Sequence, residues 1–271
     1  RIFQAGREGN GTMNKTELLD KYARDGESRL LLARVLDQQQ RADQRGIPTH
    51  TAFLSPAEQA MSADLLMAAA PGQGVLHGGY ADAERKLWGF LPDWLDEDLW
   101  LAGEDCPLAA LEVKTPKGAK LTHRDYLGSL MGLGITREKI GDILIGETGA
   151  QVIVLRETLP ILLAQWEKAG RYPVTLTPLP LDQLTPTPGE TKEVRATVAS
   201  VRLDAVVSAG FSIPRSRAAD LIRGGRVMVN HRPCEKADKV VEAGDVLTCR
   251  GLGKCVLTEI GGTSKRGRTI L

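Results

Sequence analysis

Apolar residues recur at steps of three and four near the start of the chain, as on one face of an amphipathic helix. They are Leu18, Leu19, Tyr22, Leu30, Leu31 and Val35. A further helix start is indicated at Ser55, Pro56 and Glu58, because a hydroxyl cap, a first-turn proline and a following carboxylate satisfy the free amides. We therefore predict a helical N-terminal region over residues 13–73.

Between residues 74 and 181 the pattern changes to short β-rich runs that alternate with helical segments. Strands are predicted at 75–80, 108–114, 142–145, 151–155 and 174–178, the third and fourth forming a hairpin. Helices are predicted at 81–90, 121–133 and 157–169. The second of these helices has capping-box spacing at Thr122 and Asp125 and a stop at Gly134. This succession predicts an α+β domain with an RRM-like or ferredoxin-like sheet.

A proline-rich segment separates this domain from the last patterned region. Residues 182–194 form a predicted linker, since prolines at 178, 180, 186 and 188 are typical of a semi-stiff connection. From 195 to 271 we predict a small α+β domain that begins with a helix at 200–209. Ser212 would cap a second helix that ends at Gly224, and short strands would follow at 226–229, 240–241, 246–249 and 256–260.

The formal net charge of +1 conceals an asymmetry, because residues 1–191 carry −6 and residues 192–271 carry +7. A domain-sized segment this basic favours a polyanionic partner, although charge alone does not separate RNA from DNA or an anionic membrane. The composition, 42% hydrophobic and 25% charged, is that of an ordinary globular protein and excludes mostly disordered and collagen-like chains. No apolar run approaches the roughly 18 residues of a membrane span, so we expect no membrane insertion.

The cysteines indicate neither a metal site nor a disulfide scaffold. Cys106, Cys234, Cys249 and Cys255 include no CxxC pair, and the four histidines are scattered. A zinc site requires paired ligands at short spacing, so we predict no metal and no cofactor. We expect reduced thiols in a cytosol-like compartment, and we interpret residues 1–12 as a tag or loose tail.

The strongest candidate for chemistry is the second helix of the C-terminal domain with the strand that follows it. Ala218, Leu221 and Ile222 share one helix face and would pack on the sheet, so the flanking arginines reach outward. Arginine suits RNA because its planar guanidinium holds phosphate oxygens bidentately and stacks on exposed bases. The residues concerned are Arg202, Arg215, Arg217, Arg223, Arg226 and Arg232. The alternative is a solvated basic helix that is balanced by Asp220.

The order and spacing of residues 202–204, 216–218, 221–230 and 244–245 resemble the small RNA-binding domain named after ribosomal protein S4. Further motifs resemble those of the YlmH-like proteins, which carry this domain at their C-terminus. They are HGGY at 77–80, AERK at 83–86, LTHRDYLG at 121–128, REKIGDI at 137–143, RGLGK at 250–254 and TSKRGR at 263–268. The resemblance runs from Met13 to the end and includes the plastid and cyanobacterial branch labelled photosystem II S4-domain proteins.

This resemblance implies RNA binding without catalysis, with ribosomal RNA and tRNA as partners and, for some members, stalled large ribosomal subunits. It adds to the C-terminal surface Asn230, Lys236, Arg250, Lys254, Lys265, Arg266 and Arg268. It also implies a second RNA surface on the middle domain, which would add shape selectivity through Arg85, Lys86, His123, Arg124, Arg137 and Lys139. For Arg124, Asp125 and Arg137 an internal ion-pair network is the alternative. His77 beside two glycines favours a tight turn at a strand end.

Enzymatic alternatives find little support in the sequence. Residues 123–125 resemble the HRD of a kinase catalytic loop, but Leu130 stands where that loop requires a magnesium-binding asparagine. Pseudouridine synthases and tyrosyl-tRNA synthetases carry the same small domain, and we find no counterpart of their catalytic motifs in residues 13–190. We therefore predict no enzyme, no catalytic residue and no small-molecule substrate. The competing hypothesis is a protein–protein adaptor, for example in photosystem assembly, with an acidic partner. The expected location is the cytoplasm, or the chloroplast stroma in a plastid-bearing host.

Overall fold

The computed structural model of the protein describes residues 13–186, 191–264 and 267–271. The chain forms two compact units, which divide between residues 188 and 189. We call them unit 1 and unit 2. The predicted tail at 1–12 and residues 187–190 of the predicted linker lie outside the described residues.

The α-helices of the described chain carry the labels α1 to α8. They are α1 (Lys15–Tyr22), α2 (Gly26–Arg45), α3 (Pro56–Ala69), α4 (Glu97–Ala102), α5 (His123–Gly132), α6 (Leu159–Gln165), α7 (Leu203–Gly210) and α8 (Arg215–Arg223).

The strands are labelled β1 to β15 in chain order. They are β1 (Thr49–His50), β2 (Val75–His77), β3 (Leu87–Phe90), β4 (Leu108–Lys114), β5 (Ile140–Gly146), β6 (Gly149–Leu155), β7 (Lys168–Ala169), β8 (Tyr172–Pro173), β9 (Thr175–Leu179), β10 (Thr197–Val198), β11 (Val227–Val229), β12 (Arg232–Pro233), β13 (Val246–Cys249), β14 (Gly253–Val256) and β15 (Thr269–Ile270).

The N-terminal helices begin at capping boxes and pack around leucines. The predicted start at Ser55 is confirmed, because the backbone N–H and hydroxyl of Ser55 donate to Glu58 at 2.6 and 2.7 Å. Helices α1, α2 and α3 bury Leu18, Leu32 and Leu65 against one another. The helical character predicted for this region is therefore confirmed, with the short strand β1 after α2 as an addition.

The helix predicted at 81–90 is wrong. Residues 81–86 form a turn, and β3 follows it in an antiparallel sheet of order β1-β3-β2. The apolar positions Ala83, Leu87 and Phe90 have helical spacing, but pairing with residues 49–50 and 75–77 overrides it. This sheet also joins strands from both sides of the predicted boundary at residue 73.

The middle of unit 1 is α+β and runs β4-α5-β5-β6-α6-β9, with the β7–β8 hairpin between α6 and β9. Its four strands form an antiparallel sheet of order β5-β6-β4-β9. The predicted strand at 108–114 is confirmed, and so is the hairpin, which forms between β5 and β6. The helix predicted at 121–133 is confirmed as α5, with its capping box at Thr122 and Asp125.

The helix predicted at 157–169 ends earlier, at Gln165. The buried ring of Trp166 donates its Nε1–H to the Ser129 hydroxyl and to the Lys168 carbonyl, both at 3.0 Å. These bonds turn the chain into the hairpin of β7 and β8, so tertiary contacts end the helix.

Unit 2 packs α7 and α8 on a four-stranded sheet of order β12-β11-β13-β14. The two predicted helices are present, but Ser212 does not cap the second one. Ser212 has a φ of 53° at the end of α7, and α8 begins after Pro214. The strand predicted at 256–260 is misplaced, since β14 ends at Val256 and the chain then turns, with the Gly244 N–H donating to Leu257.

Candidate nucleic-acid interface

Helix α8 presents its apolar face to the core of unit 2. Ala218 and Ile222 are fully buried against Leu203, Val207 and Val227, and Leu221 packs half-buried beside them. The predicted orientation of this helix is therefore confirmed. Arg217 and Arg223 consequently point away from the core and are exposed.

Two arginines at the starts of α7 and α8 converge on one buried carboxylate. Arg215 donates to Asp204 from Nε at 3.0 Å and from Nη2 at 3.1 Å, which is a bidentate pair. The Nε of Arg202 lies 3.4 Å from the same carboxylate, without the alignment of a hydrogen bond. The Asp204 side chain is only 9% exposed, whereas the arginines are 41% and 50% exposed. Asp204 thus fixes two half-exposed guanidiniums at adjacent helix starts.

A second basic group lies at the paired ends of β11 and β13, directly before β11 and directly after β13. Arg226 donates from Nη2 to the Arg250 carbonyl at 3.1 Å, and Arg250 donates its N–H back to the Arg226 carbonyl. Burial raises the pKa of the Cys249 thiol, and the charges of Arg226 and Arg217 oppose that rise. Both arginines therefore act on the same point of the sheet. Lys254 is exposed on β14, whose partner strand is β13.

Arg223 has an acidic neighbour, Asp220, at 3.4 Å. Their side chains are 68% and 75% exposed, and solvent-exposed pairs of this kind contribute little to stability. The balance by Asp220 that the sequence suggested is present, but it occupies one arginine of the surface. In the described part of unit 2 no ion pair is recorded for Arg217.

Asn230, a predicted RNA contact, is bound within the fold. It adopts a φ of 49° between β11 and β12, where asparagine is tolerated. Its side-chain amide donates to Asp245 at 2.7 Å and its carbonyl accepts from the Val246 N–H at 2.9 Å. These bonds join the two turns of the sheet, so the structure supports a structural role for this residue.

The remaining predicted contacts of unit 2 are distributed over other loops. Arg232 is exposed on β12, and Lys236 is exposed in the segment after it. Arg268 donates to the Thr197 carbonyl at 2.9 Å, beside the separate two-stranded sheet of β10 and β15. Lys265 and Arg266 lie outside the described residues.

In unit 1, Arg85 and Arg137 are directed inward. Arg85 donates to the carbonyls of Ile140 at 2.9 Å and Phe53 at 3.1 Å, and Arg137 donates to the same Ile140 carbonyl at 2.8 Å. Burial lowers the pKa of both guanidiniums, that of Arg137 to about 10 with a further contribution from the charge of Arg85. Both side chains are half-buried and hold the loop before β3 against β5. Their contacts are those of structural residues.

Asp142 completes this internal network. It accepts from the Tyr80 hydroxyl at 2.9 Å and from the backbone N–H groups of Glu84 and Arg85 at 2.7 and 3.0 Å. Burial and this bond raise the pKa of the Tyr80 phenol. The HGGY and AERK motifs therefore meet the REKIGDI motif at one place. Local spacing could not predict this, because Asp142 lies 57 to 62 residues from its partners Arg85, Glu84 and Tyr80.

The other candidates of unit 1 divide into paired and exposed residues. Lys139 pairs with Glu157 at 2.8 Å, and Lys86 donates to the Ala81 carbonyl at 3.1 Å. His123 and Arg124 are exposed in the first turn of α5. The suggested ion-pair network of Arg124, Asp125 and Arg137 is not formed among the described residues. Asp125 instead accepts from the Thr122 N–H and hydroxyl, which lowers its pKa.

Across residues 13–186, 191–264 and 267–271 no group of three or more His, Cys, Asp or Glu side chains is arranged to hold a metal. Among the helices of the same residues, none is long and apolar enough to cross a membrane.

Three family models match the chain in succession. Residues 27–89 match "YlmH, N-terminal", residues 102–183 match "Putative RNA-binding domain in YlmH" and residues 201–247 match "S4 domain". The α+β fold, the basic surface on α8 and this order of domains define a protein with an S4 domain at its C-terminus.

A curated relative agrees with this order. The chain is 36% identical over 224 residues to "Ribosome-associated protein quality control protein P2" of Bacillus subtilis (strain 168), covering 80% of this chain and 83% of the relative. The chain therefore belongs to the YlmH family, as its motifs indicated. A solved structure, "Cell division protein ylmH from Streptococcus pneumoniae", matches with a TM-score of 0.48 and 24% identity, over 59% of this chain and 94% of that one.

Proposed function

We propose that this protein is a non-catalytic factor that binds structured RNA on the ribosome, through ribosomal RNA of the large subunit, tRNA, or both. The observation that carries the proposal is the exposed basic surface of unit 2. Arg202, Arg215, Arg217 and Arg226 lie within the S4 match at residues 201–247, and Arg250, which exchanges hydrogen bonds with Arg226, follows it directly. The name of the Bacillus subtilis relative, a ribosome-associated quality control protein, supports a ribosomal partner. The proposed location is the cytoplasm, or the stroma in a plastid-bearing host.

The physical basis of binding is electrostatic capture of the phosphate backbone. Guanidinium forks hold phosphate oxygens and release condensed counterions, so affinity falls as salt rises. If about five phosphates are neutralised, the slope of log affinity against log salt concentration is roughly −4. The bidentate pair with Asp204 keeps the Arg215 guanidinium in a fixed orientation. This lowers the conformational entropy that the side chain loses when it binds RNA.

The test is binding of the purified protein to large ribosomal subunits and to tRNA across a salt series. Arg217→Glu combined with Arg223→Glu should weaken binding at least about tenfold. Both side chains are exposed, so the two substitutions reverse the charge of the surface that would meet phosphate. The matched control is Lys192→Glu with Arg195→Glu, which makes the same charge change at exposed positions before β10. A salt-independent affinity, or equal effects of the two double variants, would contradict the proposal.

RNA crosslinking in cells identifies the partner independently. Crosslinked fragments should concentrate on large-subunit ribosomal RNA and tRNA. Fragments distributed by transcript abundance alone, together with partners that survive nuclease treatment, would instead favour an adaptor with an acidic protein partner.

A further inference from the structure

The sheet of the middle domain is covered on both faces over much of its area. One face packs on α5 and α6 through Leu111, Val113 and Val152. On the other face Leu108 and Ile153 are buried in a cluster with Phe53, Leu87 and Trp100, which come from outside the four-stranded sheet. A base cannot stack on the covered strands, so RNA binding by this domain requires another surface.

The uncovered end of the second sheet face is also a poor site for phosphate. Glu112 and Lys114 lie there on β4, and they form an ion pair at 3.3 Å. Gln151 on the neighbouring strand accepts from the Thr185 N–H at 2.8 Å. The charge of this end is thus internally balanced.

Exposed cations instead gather at the start of α5 and on the β7–β8 hairpin. Residues 115–128 and 166–173 contain five basic and two acidic residues. Their net charge is +3, whereas residues 1–191 as a whole carry −6. We call the basic patch the set Lys117, Lys120, His123, Arg124, Lys168 and Arg171, all of them exposed or nearly so.

The hairpin and the helix start are held together by packing. A Cβ at Gly170, in the tip of the hairpin, would lie 3.2 Å from the Leu121 side chain and 3.6 Å from the Asp125 carboxylate. Gly170 has a φ of 55°, which lets the tip close against α5. The bonds of Trp166 to Ser129 and Lys168 fasten the base of the hairpin to the same helix. The two basic segments therefore form one surface.

The charges of the basic patch are left available to a ligand. The structure pairs other cations of unit 1 with carboxylates, as in Arg29 with Asp20 and Lys139 with Glu157. For Lys117, Lys120, Arg124 and Lys168 no ion pair is recorded among the residues that the structure describes. Asp125, which lies among them, is engaged in the Thr122 capping box. The positive end of the α5 dipole adds to the same field.

We infer that the basic patch is the surface with which the middle domain holds an RNA phosphate backbone. This inference rests on the proposed function and assigns its second contact to α5 and the β7–β8 hairpin. Arg171 is also placed to stack on an unpaired base, because its guanidinium already lies over the Tyr172 ring at 5.1 Å and bonds the phenol oxygen at 3.0 Å. Arg85 and Arg137 have no part in it.

The test compares two triple charge reversals in the full chain. The patch variant is Lys120→Glu, Arg124→Glu and Lys168→Glu. The control is Arg24→Glu, Arg41→Glu and Arg45→Glu, which alters exposed arginines near or on α2 by the same total charge. The patch variant should lose about tenfold or more in affinity for large subunits or tRNA, with a salt slope shallower by about 2 to 3, since each phosphate contact contributes 0.7 to 0.9. The control should bind as the wild type does.

Tryptophan fluorescence reports whether unit 1 stays folded, and the milder variant with glutamine at the three patch positions should give a smaller loss in the same direction. Wild-type affinity and slope in the patch variant, while Arg217→Glu with Arg223→Glu still weakens binding, would overturn the inference and leave the proposed function intact. If neither variant alters binding, the proposed function fails as well. Equal losses in patch and control variants would show general repulsion and also overturn the inference.

Discussion

At the scale of single residues, Asp204 is the side chain on which the candidate RNA surface of unit 2 depends. Its replacement by asparagine would leave Arg202 and Arg215 without a counter-charge at a site where the carboxylate is 9% exposed. Since hydrogen bonds to charged groups contribute about 1.5–3 kcal/mol, and the arginines are half-exposed, we expect Asp204→Asn to destabilise unit 2 by about 2 kcal/mol. Hydrogen exchange of the α7 and α8 amides measures this loss.

Asp220→Asn is the matched control for that prediction. It removes the same charge from an Arg–Asp pair whose carboxylate is 75% exposed, so the loss should stay below about 0.5 kcal/mol. Equal protection of the α7 and α8 amides in both variants would show that Asp204 does not anchor the helix starts.

A second residue-scale prediction concerns acid stability. Burial lowers the pKa of His77, whose Nδ1 accepts from the Gly79 N–H at 3.0 Å and must therefore be unprotonated. A depressed folded pKa means that the stability from neutral His77 is present above the unfolded pKa of about 6.5 and is lost as pH falls below it. Unit 1 should thus unfold more easily at pH 5 than at pH 7.

The variant His77→Asn separates this effect from other titrating groups. An asparagine side-chain oxygen can accept from the Gly79 N–H without titrating. The urea midpoint of the variant should therefore change less between pH 7 and pH 5 than that of the wild type. Tryptophan fluorescence is a suitable measurement, because all four tryptophans lie in unit 1. Parallel pH profiles would show that His77 is not the group responsible.

The sequence predicted that the C-terminal domain has a basic surface, but it predicted less well which of the candidate arginines are exposed and which are engaged within the fold. The outward direction of Arg217 and Arg223 follows from the apolar face of α8, which local spacing reveals. The inward direction of Arg85 and Arg137 depends on carbonyls of Phe53 and Ile140, which only the folded chain brings near. The pairing of Arg215 with Asp204 also joins two helices; Asp204 stands in the motif that carries the S4 resemblance, whereas Arg215 directly precedes its second segment.

At the scale of elements, the turn between β2 and β3 depends on Gly78. A Cβ at this position would lie 2.5 Å from the Ala83 side chain and would also meet the Arg85 carbonyl oxygen. Overpacking of this kind costs about 1–3 kcal/mol, so Gly78→Ala should lower the urea midpoint of the fluorescence transition.

Gly128→Ala in α5 is a control of opposite sign. A Cβ there meets nothing within 4 Å, and alanine in a helix interior is favoured over glycine by about 1 kcal/mol. Its urea midpoint should rise. A midpoint for Gly78→Ala at or above that of the wild type would contradict the prediction, because it would show that the turn accommodates the added methyl group.

Elements with local signals were predictable and elements set by distant pairing were not. The capping boxes at Ser55 and Thr122 and the hairpin of β5 and β6 lie within a few residues of their own partners, and each was found from the sequence. Strand β3 forms because it pairs with residues 49–50 and 75–77. The helical spacing of its apolar residues therefore predicted the wrong element.

At the scale of the whole molecule, the change of charge after residue 191 falls close to the division between the two units. Composition thus located this division, since the acidic and basic parts have different surfaces. It did not locate the basic patch, because the five lysines and arginines of residues 115–128 and 166–173 are outweighed by the net charge of −6 of residues 1–191. Only the packing of Gly170 on Leu121 shows that these cations share one surface.

Each unit has its own apolar core, and this leads to a prediction about how stability is distributed. Ile222 is fully buried in the core of unit 2, with Leu203, Val227 and Leu247. Ile222→Ala should destabilise that unit by about 2–5 kcal/mol, since it removes buried methyl groups and leaves a cavity. The tryptophan fluorescence transition, which reports unit 1 alone, should keep its urea midpoint, because Ile222 belongs to a core separate from those of unit 1. RNA binding should fall with the folded fraction of unit 2, as followed by hydrogen exchange in α8. A shift of the fluorescence midpoint in this variant would show that the units stabilise each other, and the affinity losses of the surface variants would then have to be measured against the stability of both.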